Sequence, residues 1–262
     1  MRVSLDRILA TTQAGLAGLA ERAEALARDA AAAVRPPSLE AALRRPDVAV
    51  IAEVKRRSPS AGVIRDDLDP AERAALYAGR GAAAVSVLTD GPFFGGSLGD
   101  LRVAAASIHV PVLRKDFILD ELQILEARAA GAAAVLLIVR ALRGERLAAL
   151  VRAARAHELD ALVEVHTGPE LDRALEAGAR IIGVNSRDLD TFRIDTEAAW
   201  RLLRRVPPDR LAVAESGMAD REDVIRARDH GADAVLIGSA LSAAADPGEV
   251  LGRLSGVPRR GR

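Results

Sequence analysis

Eight times along the chain, a short apolar run is followed by a stretch rich in Ala, Leu, Arg and Glu with helical spacing. The apolar runs are nearly continuous, as expected for parallel strands covered on both faces. They occupy residues 48–54, 83–88, 111–115, 133–139, 160–165, 180–184, 210–214 and 233–238. The helices are predicted near residues 70–80, 98–107, 120–130, 143–157, 168–177, 195–205, 220–230 and 246–254. Together with the length of 262 residues, this predicts an α/β fold, a single eightfold β/α barrel, for which about 250 residues is typical.

A weak internal repeat marks the joins between helices and strands. Gly-Ala pairs start at Gly81, Gly131, Gly178 and Gly231, each just before a predicted strand. A glycine at this place is typical of a left-handed helix cap. The alternative fold is an open doubly wound sheet. It is less favoured because no G-x-G-x-x-G follows the first strand, and because polar residues end many strands, which only a barrel brings together.

We expect three segments along the chain. Residues 1–46 form an N-terminal helical extension, with one helix over 4–34 that ends before Pro36 and a short helix over 39–44 capped by Ser38. Residues 47–256 form the catalytic barrel. Residues 257–262, with the sequence V-P-R-R-G-R, are predicted to be a disordered tail.

Composition excludes several classes of protein. Acidic and basic residues balance at 37 each, which argues against a nucleic-acid or membrane-surface role. The absence of cysteine excludes disulfides and thiolate chemistry. No pair of histidines has metal-ligand spacing, so no metal is expected. Without a signal peptide or a long apolar segment, a cytoplasmic location is the expectation. The scarcity of aromatic residues offers no obvious interface patch, so a monomer is the default expectation.

Polar residues at the strand ends form the first candidate site. Side chains alternate along a strand, so the polar member of each set can face the barrel interior. Lys55 and Lys115 are the only lysines in a chain whose other basic residues, apart from histidine, are all arginines. Asn185 is its only asparagine. Lysine can donate a proton where arginine cannot. We therefore predict a cluster for proton transfer about a carbonyl or enol, made of Glu53, Lys55, Lys115, Glu164, Asn185 and Glu215.

A phosphate site is predicted beside this cluster. Ser216-Gly217 and Gly238-Ser239 follow the seventh and eighth strands, where backbone N–H groups of a barrel often bind phosphate. Ser58 adds a hydroxyl from the first loop, and Lys55 adds a charge. Phe93 and Phe94 after the second strand, with Phe117 after the third, form either a wall for a flat ring or an apolar plug.

Taken together, the motifs resemble those of the indole-3-glycerol phosphate synthase family. The resemblance covers about residues 48–241. Its most specific parts are E-x-K-x-x-S-P-S from Glu53, R-K-D-F from Arg114 and N-x-R-D-L from Asn185. S-V-L-T-D, F-F-G-G-S, L-V-E-V-H, A-E-S-G and I-G-S-A-L also match in order.

The resemblance implies a carboxy-lyase of tryptophan biosynthesis. Its small phosphorylated substrate would be 1-(2-carboxyphenylamino)-1-deoxyribulose 5-phosphate, and neither a cofactor nor a metal would be needed. Lys115 would be the general acid and Glu164 would stabilise positive charge, with Glu53, Lys55, Asn185 and Glu215 assisting. The phosphate would be held by Lys55, Ser58, Ser216, Gly217, Gly238 and Ser239. The anthranilate pocket would be lined by Pro59, Phe94, Phe117, Leu136, Arg187, Leu189 and Leu236.

Two other functions stay open at this point. One is a different phosphate-binding barrel enzyme, such as an aldolase that uses Lys115 as a Schiff-base nucleophile. The other is a catalytically silent barrel that binds a phosphorylated ligand.

Overall fold

The computed structural model describes residues 4–59 and 62–261. Within them, eight parallel strands close into a barrel, with each strand paired to its neighbours in sequence and the first paired to the last. In order they are Ala49–Val54, Ala84–Leu88, Val112–Lys115, Ala134–Ile138, Asp160–Val165, Ile181–Asn185, Leu211–Glu215 and Ala234–Ile237. The predicted eightfold barrel is confirmed, and each predicted strand overlaps an observed one.

The strands divide their side chains between two hydrophobic cores. Val50, Ala52 and Val54 lie in the core between the barrel and its helices. Ile51 lies with Leu162 in the core inside the barrel. This alternation confirms the predicted strand register, and it directs the polar residues at the strand ends into the barrel mouth.

Helices surround the barrel, and seven of the eight main ones start at a side-chain cap. The main barrel helices are Pro70–Gly79, Leu98–Ser107, Glu121–Ala129, Arg146–Ala156, Gly168–Glu176, Thr196–Leu203, Arg221–Asp229 and Pro247–Leu254. Asp69, for example, accepts hydrogen bonds from the Ala71 and Glu72 N–H groups and stands directly before Pro70, a combination that favours helix initiation. The predicted cap glycines at 81, 131, 178 and 231 all have φ between 79° and 97°.

The N-terminal extension differs from the prediction of one helix over 4–34. It contains two, Leu5–Ala20 and Ala23–Ala32, separated at Glu21 and Arg22. No proline or glycine stands at this junction, so composition gave no signal for it. The predicted short helix is Leu39–Leu43, and Ser38 caps it as expected. Ser38 also donates a hydrogen bond to Asp160, which attaches the extension to the start of the fifth barrel strand. Residues 1–3 lie outside the described part of the chain.

The C-terminal residues 257–261 are ordered against the barrel, so the prediction of a disordered tail is wrong for them. Val257 is buried and accepts a hydrogen bond from the Val48 N–H. Pro258 forms a β-bridge with Asp47, and Arg259 makes an ion pair with the buried Asp233. The sequence P-R-R-G-R gives no sign of these contacts, because the partners lie outside the tail: Asp47 and Val48 near the start of the barrel, and Asp233 at the start of its last strand. Arg262 lies outside the described residues.

Short elements not predicted from the sequence follow several strands on the mouth side. They are a hairpin of Arg57–Ser58 with Gly62–Val63, the helices Gly91–Phe94 and Ser239–Ala243, and the 3-10 turn Val139–Ala141. Because all come after strand ends, they build the rim of the site. No described helix has the length and apolar character needed to cross a membrane.

Candidate active site

A cavity of about 400 Å³ lies at the carboxyl end of the barrel strands. Every residue predicted from the sequence for catalysis, phosphate binding or the apolar pocket lines it. They are Glu53, Lys55, Ser58, Pro59, Phe94, Lys115, Phe117, Leu136, Glu164, Asn185, Arg187, Leu189, Glu215, Ser216, Gly217, Leu236, Gly238 and Ser239. The barrel therefore brings the whole predicted set together, while the role of each residue remains a prediction.

Glu53 joins the two lysines at the centre of the cavity. Its carboxylate lies 2.9 Å from Lys55 Nζ and 3.9 Å from Lys115 Nζ. Burial alone would raise the pKa of Glu53, but the charges of Lys55 and then Lys115 outweigh it, so the pKa is lowered. Glu53 is thus an ionised carboxylate shared by two ammonium groups.

Lys115 is surrounded by acids. Glu215 lies 4.0 Å from its Nζ, in addition to Glu53. Burial would lower the pKa of Lys115, yet the charges of Glu53, Glu164 and Glu215 raise it above 10.5. A buried, charged ammonium in a cavity is suited to donate a proton to a ligand oxygen.

Glu215 has the opposite behaviour to Glu53. Burial first, and then the charge of Glu164, raise its pKa well above the ordinary value of 4.5. Two carboxyl groups that share a buried site with one nearby lysine cannot both ionise freely. Glu215 is therefore protonated at a pH where Glu53 is ionised, and the site holds a carboxylate and a carboxylic acid together.

Two glycines make room for these carboxyl groups. A Cβ atom at Gly183 would clash with Glu215 Oε1, and one at Gly238 would clash with Glu53 Oε1. Gly238 thus has a steric role besides its predicted phosphate contact. Residue type and spacing assign no role to Gly183, because the clash depends on the neighbouring strand.

Asn185 and the loop after it shape another wall. Asn185 Oδ1 accepts a hydrogen bond from the Arg187 N–H at 3.0 Å, which leaves the amide nitrogen as the group that can donate to a ligand. Arg187 donates to the Phe192 carbonyl at 3.2 Å. Asp188 accepts from the Thr191 and Asp190 N–H groups, bonds that lower its pKa to about 2. These bonds fold the loop so that the guanidinium of Arg187 lines the cavity.

The predicted phosphate end has the expected backbone features. Ser216 and Gly217 have φ values of 63° and 73°, a left-handed pair that turns the backbone at the cavity. Opposite them, the helix Ser239–Ala243 starts with no side-chain cap. Its first N–H groups have no intrahelical acceptor, as at every helix start. Lys55 Nζ donates to Ser239 Oγ at 3.1 Å, so the lysine connects this end to Glu53.

Aromatic residues form the opposite end of the cavity. The rings of Phe94 and Phe117 lie 6.2 Å apart at 39°, and Leu136, Leu189 and Leu236 complete the apolar surface. Phe93 does not line the cavity; it packs against the inner core, with Arg7 of the N-terminal helix over its ring. The aromatic surface of the cavity therefore comes from Phe94 and Phe117, and Phe93 contributes nothing to it.

Sequence reasoning missed a buried network behind Lys115. Thr89 donates to Asp116 Oδ2 at 2.5 Å, and Arg114 contacts the same carboxylate at 3.1 Å. Asp116 Oδ1 accepts the Phe117 N–H at 2.8 Å. Side chains alternate along the third strand, so Arg114 and Asp116 are expected on the face opposite to Lys115. For that reason the sequence did not connect them with the cavity. In the described part of the chain, no group of three or more His, Asp or Glu side chains is arranged to hold a metal ion.

Comparison with known proteins identifies the family. The sequence profile of indole-3-glycerol phosphate synthase matches residues 5–254. Indole-3-glycerol phosphate synthase 2 of Streptomyces coelicolor is 53% identical over 86% of this chain and 88% of its own length. Indole-3-glycerol phosphate synthase of a Nocardioides species is 49% identical over 97% of this chain and 98% of its own.

The chain belongs to the indole-3-glycerol phosphate synthase family.

Solved structures outside this family share the fold. A 3-hexulose-6-phosphate synthase matches 79% of this chain and 98% of its own with a TM-score of 0.63 at 16% identity. A thiamine phosphate pyrophosphorylase from Pyrococcus furiosus matches with a TM-score of 0.60 at 17% identity, over 81% of this chain and 95% of its own. At such identity these likenesses support the barrel and nothing more specific.

Proposed function

We propose that this chain converts 1-(2-carboxyphenylamino)-1-deoxyribulose 5-phosphate to indole-3-glycerol phosphate, in L-tryptophan biosynthesis. The aryl carbon that carries the carboxylate attacks the ketone carbon, and loss of CO₂ and then of water completes the indole ring. Family membership supports this function. The observation that carries it is the pair of lysines on one buried carboxylate, beside two further acids, in a cavity with one polar and one apolar end.

The two ends of the cavity suit the two ends of the substrate. The phosphate would bind where the Ser216-Gly217 turn faces the Ser239–Ala243 helix start, with Lys55 supplying charge and Ser58 a hydroxyl. The anthranilate ring would lie against Phe94 and Phe117. Its carboxylate would face Arg187, whose planar guanidinium suits a carboxylate. This orientation places the ketone between the ends, near the lysines.

Lys115 would act as the general acid. Its raised pKa keeps a proton on Nζ at neutral pH, ready for the ketone oxygen as the carbon–carbon bond forms. Glu164, buried in the cavity wall, would stabilise the positive charge that develops on the anilino portion and take part in the later proton transfers. Glu53 would hold both lysines charged and in place. Asn185 and Glu215 would donate hydrogen bonds to substrate oxygens.

The aldolase alternative fits this site less well. A Schiff-base lysine must lose its proton to attack a carbonyl, so such sites lower the lysine pKa. Here the surrounding acids raise it. A silent barrel would be expected to lack one of the acids or lysines, whereas all of them line the cavity.

A fluorescence assay for indole-3-glycerol phosphate tests the function. The wild type is expected to form product, and Lys115→Arg is expected to lose activity by about 10²–10⁴-fold, because arginine keeps the charge but does not release its proton. No product from folded wild-type protein would contradict the proposed reaction. Equal rates in both proteins would keep the reaction and remove Lys115 as the acid.

Three expectations from the sequence stay predictions: that the protein is cytoplasmic, that it is a monomer, and that it needs neither a cofactor nor a metal. Gel filtration and turnover in the presence of a chelator test the last two.

A further inference from the structure

His166 lies directly behind Glu164, one strand position further along the same face. Its Nε2 is 3.5 Å from Glu164 Oε1, and the two side chains are 6% and 1% exposed. Among the described residues, neither of these two atoms has a hydrogen-bond partner. Two buried polar atoms thus face one another at the limit of hydrogen-bond distance.

The other ring nitrogen of His166 faces Glu170. Glu170 Oε2 lies 3.3 Å from Nδ1 and accepts the His166 backbone N–H at 2.7 Å. Glu170 stands in the first turn of the helix Gly168–Glu176 and is held in turn by Arg140, whose Nε donates to Oε1 at 3.2 Å. Arg140 also pairs with Asp188 of the loop after the sixth strand. His166 is therefore held by Glu170 at two places, its backbone N–H and its ring.

This arrangement restricts where protons can lie. Because Glu170 is an acceptor, Nδ1 carries a hydrogen. A neutral imidazole would then present the lone pair of Nε2 to a carboxylate oxygen of Glu164, which leaves two buried acceptors facing each other. One added proton between Nε2 and Oε1 removes this conflict and makes a charge-assisted contact.

We propose that His166 is a positioning residue for the reaction, an imidazolium that fixes the orientation of Glu164 and balances its charge, with Glu170 and Arg140 behind it. The proposal rests on the proposed function only for its effect on turnover. A purely structural interpretation is that Glu170 caps a helix and His166 fills space. That interpretation accounts for the backbone bond of Glu170, but it gives no reason for a ring nitrogen aimed at Glu164.

The charges around the ring favour its protonated form. Burial would lower the pKa of His166, but the hydrogen bond of Glu170 and the charges of Glu164 and Glu170 outweigh burial and the opposing charge of Arg140, so the pKa is raised above 6.5. The protonated form is then retained to a higher pH than in an ordinary histidine and is lost as the pH rises through the raised value. Any step that needs the imidazolium should fail over that same range.

The test compares His166→Gln and Glu170→Gln with His157→Gln. Glutamine at 166 can still donate a hydrogen bond but carries no charge. Glutamine at 170 can still accept a hydrogen bond from His166 Nδ1, but it has no negative charge to favour the protonated imidazole. His157 pairs with Glu121 at 3.3 Å outside the cavity and is the matched control, since it loses the same kind of contact away from the site.

We expect His166→Gln to lower kcat by about 10- to 100-fold with little change in KM, as for a misplaced catalytic group. Glu170→Gln should move the alkaline limb of the kcat profile to lower pH, and His157→Gln should match the wild type. NMR titration of the wild-type imidazoles, without substrate, should give His166 a pKa above 6.5.

Each contrary result overturns the proposal. An NMR pKa for His166 at or below 6.5 removes the imidazolium. Wild-type kcat in His166→Gln, a change in KM alone, or an unmoved alkaline limb in Glu170→Gln removes the positioning role. If His166→Gln does not fold, the titration and the Glu170→Gln profile still decide. If the wild type forms no indole-3-glycerol phosphate, the proposed function fails while the titration still decides the His166–Glu164 pair.

Discussion

Replacing Glu53 by glutamine removes the one charge that both lysines share and keeps the shape of the side chain. At an effective dielectric constant of ~20, charges 2.9 Å and 3.9 Å apart attract by about 6 and about 4 kcal/mol. The desolvation of three buried ions offsets much of this. Measured losses when one member of a buried pair is removed are about 3–5 kcal/mol. We expect Glu53→Gln to lower the free energy of unfolding by that amount at pH 7.

Urea unfolding followed by fluorescence of the buried Trp200, the one tryptophan of the sequence, measures this loss. The matched control is Glu249→Gln, which breaks an ion pair with Arg253 at 2.8 Å whose two side chains are each 64% exposed. Solvent screening limits that loss to about 0.5 kcal/mol.

The pH dependence follows from the lowered pKa of Glu53. The stabilisation should be complete above 4.5, its ordinary value, and should disappear as the pH falls through the lower folded-state value. Equal losses in the two variants, or a Glu53→Gln loss that does not shrink in acid, would refute the shared-carboxylate interpretation.

Two further substitutions separate stability from activity. Glu215→Gln should leave the melting temperature at pH 8 unchanged or higher, because the raised pKa means that the fold prefers a neutral group there, yet it should lower kcat; a clear drop in melting temperature would contradict this. Gly183→Ala should cost about 1–3 kcal/mol and reduce turnover, since the added Cβ meets the Glu215 carboxyl group. Gly15→Ala, in an open position of the first helix, is its control and should be neutral or stabilising, as measured by urea unfolding.

Much of the barrel could be predicted because its signals are local. Apolar runs, four of them preceded by Gly-Ala pairs, place each strand to within a residue or two, and left-handed φ values occur where the cap glycines predicted them. The alternation of side chains then brings Glu53, Lys115 and Glu164 to one cavity, since parallel strands of a barrel end at the same face.

The features that could not be predicted depend on distant partners. The tail is ordered by Val48 and Asp233, and neither contact has a signature in the local sequence. The clash at Gly183 depends on the side chain of the adjacent strand. His166 follows Glu164 by two residues in the sequence, but its role depends on Glu170, which reaches back to it from the following helix. In these cases the three-dimensional structure shows contacts that residue type and spacing do not reveal.

The pairing of the first strand with the last has a consequence for how the enzyme is made. Lys55 bonds to Ser239 across this junction, and Glu53 occupies the space that Gly238 leaves. During synthesis on the ribosome, Glu53 is made long before the final strand. Its carboxylate therefore reaches its complete environment only after that strand has been made and has paired with the first. A nascent barrel that lacks this strand holds all three acids and both lysines of the cluster but no assembled site. Substrate that binds across the junction would also hold the barrel closed, because a ligand stabilises the state that binds it.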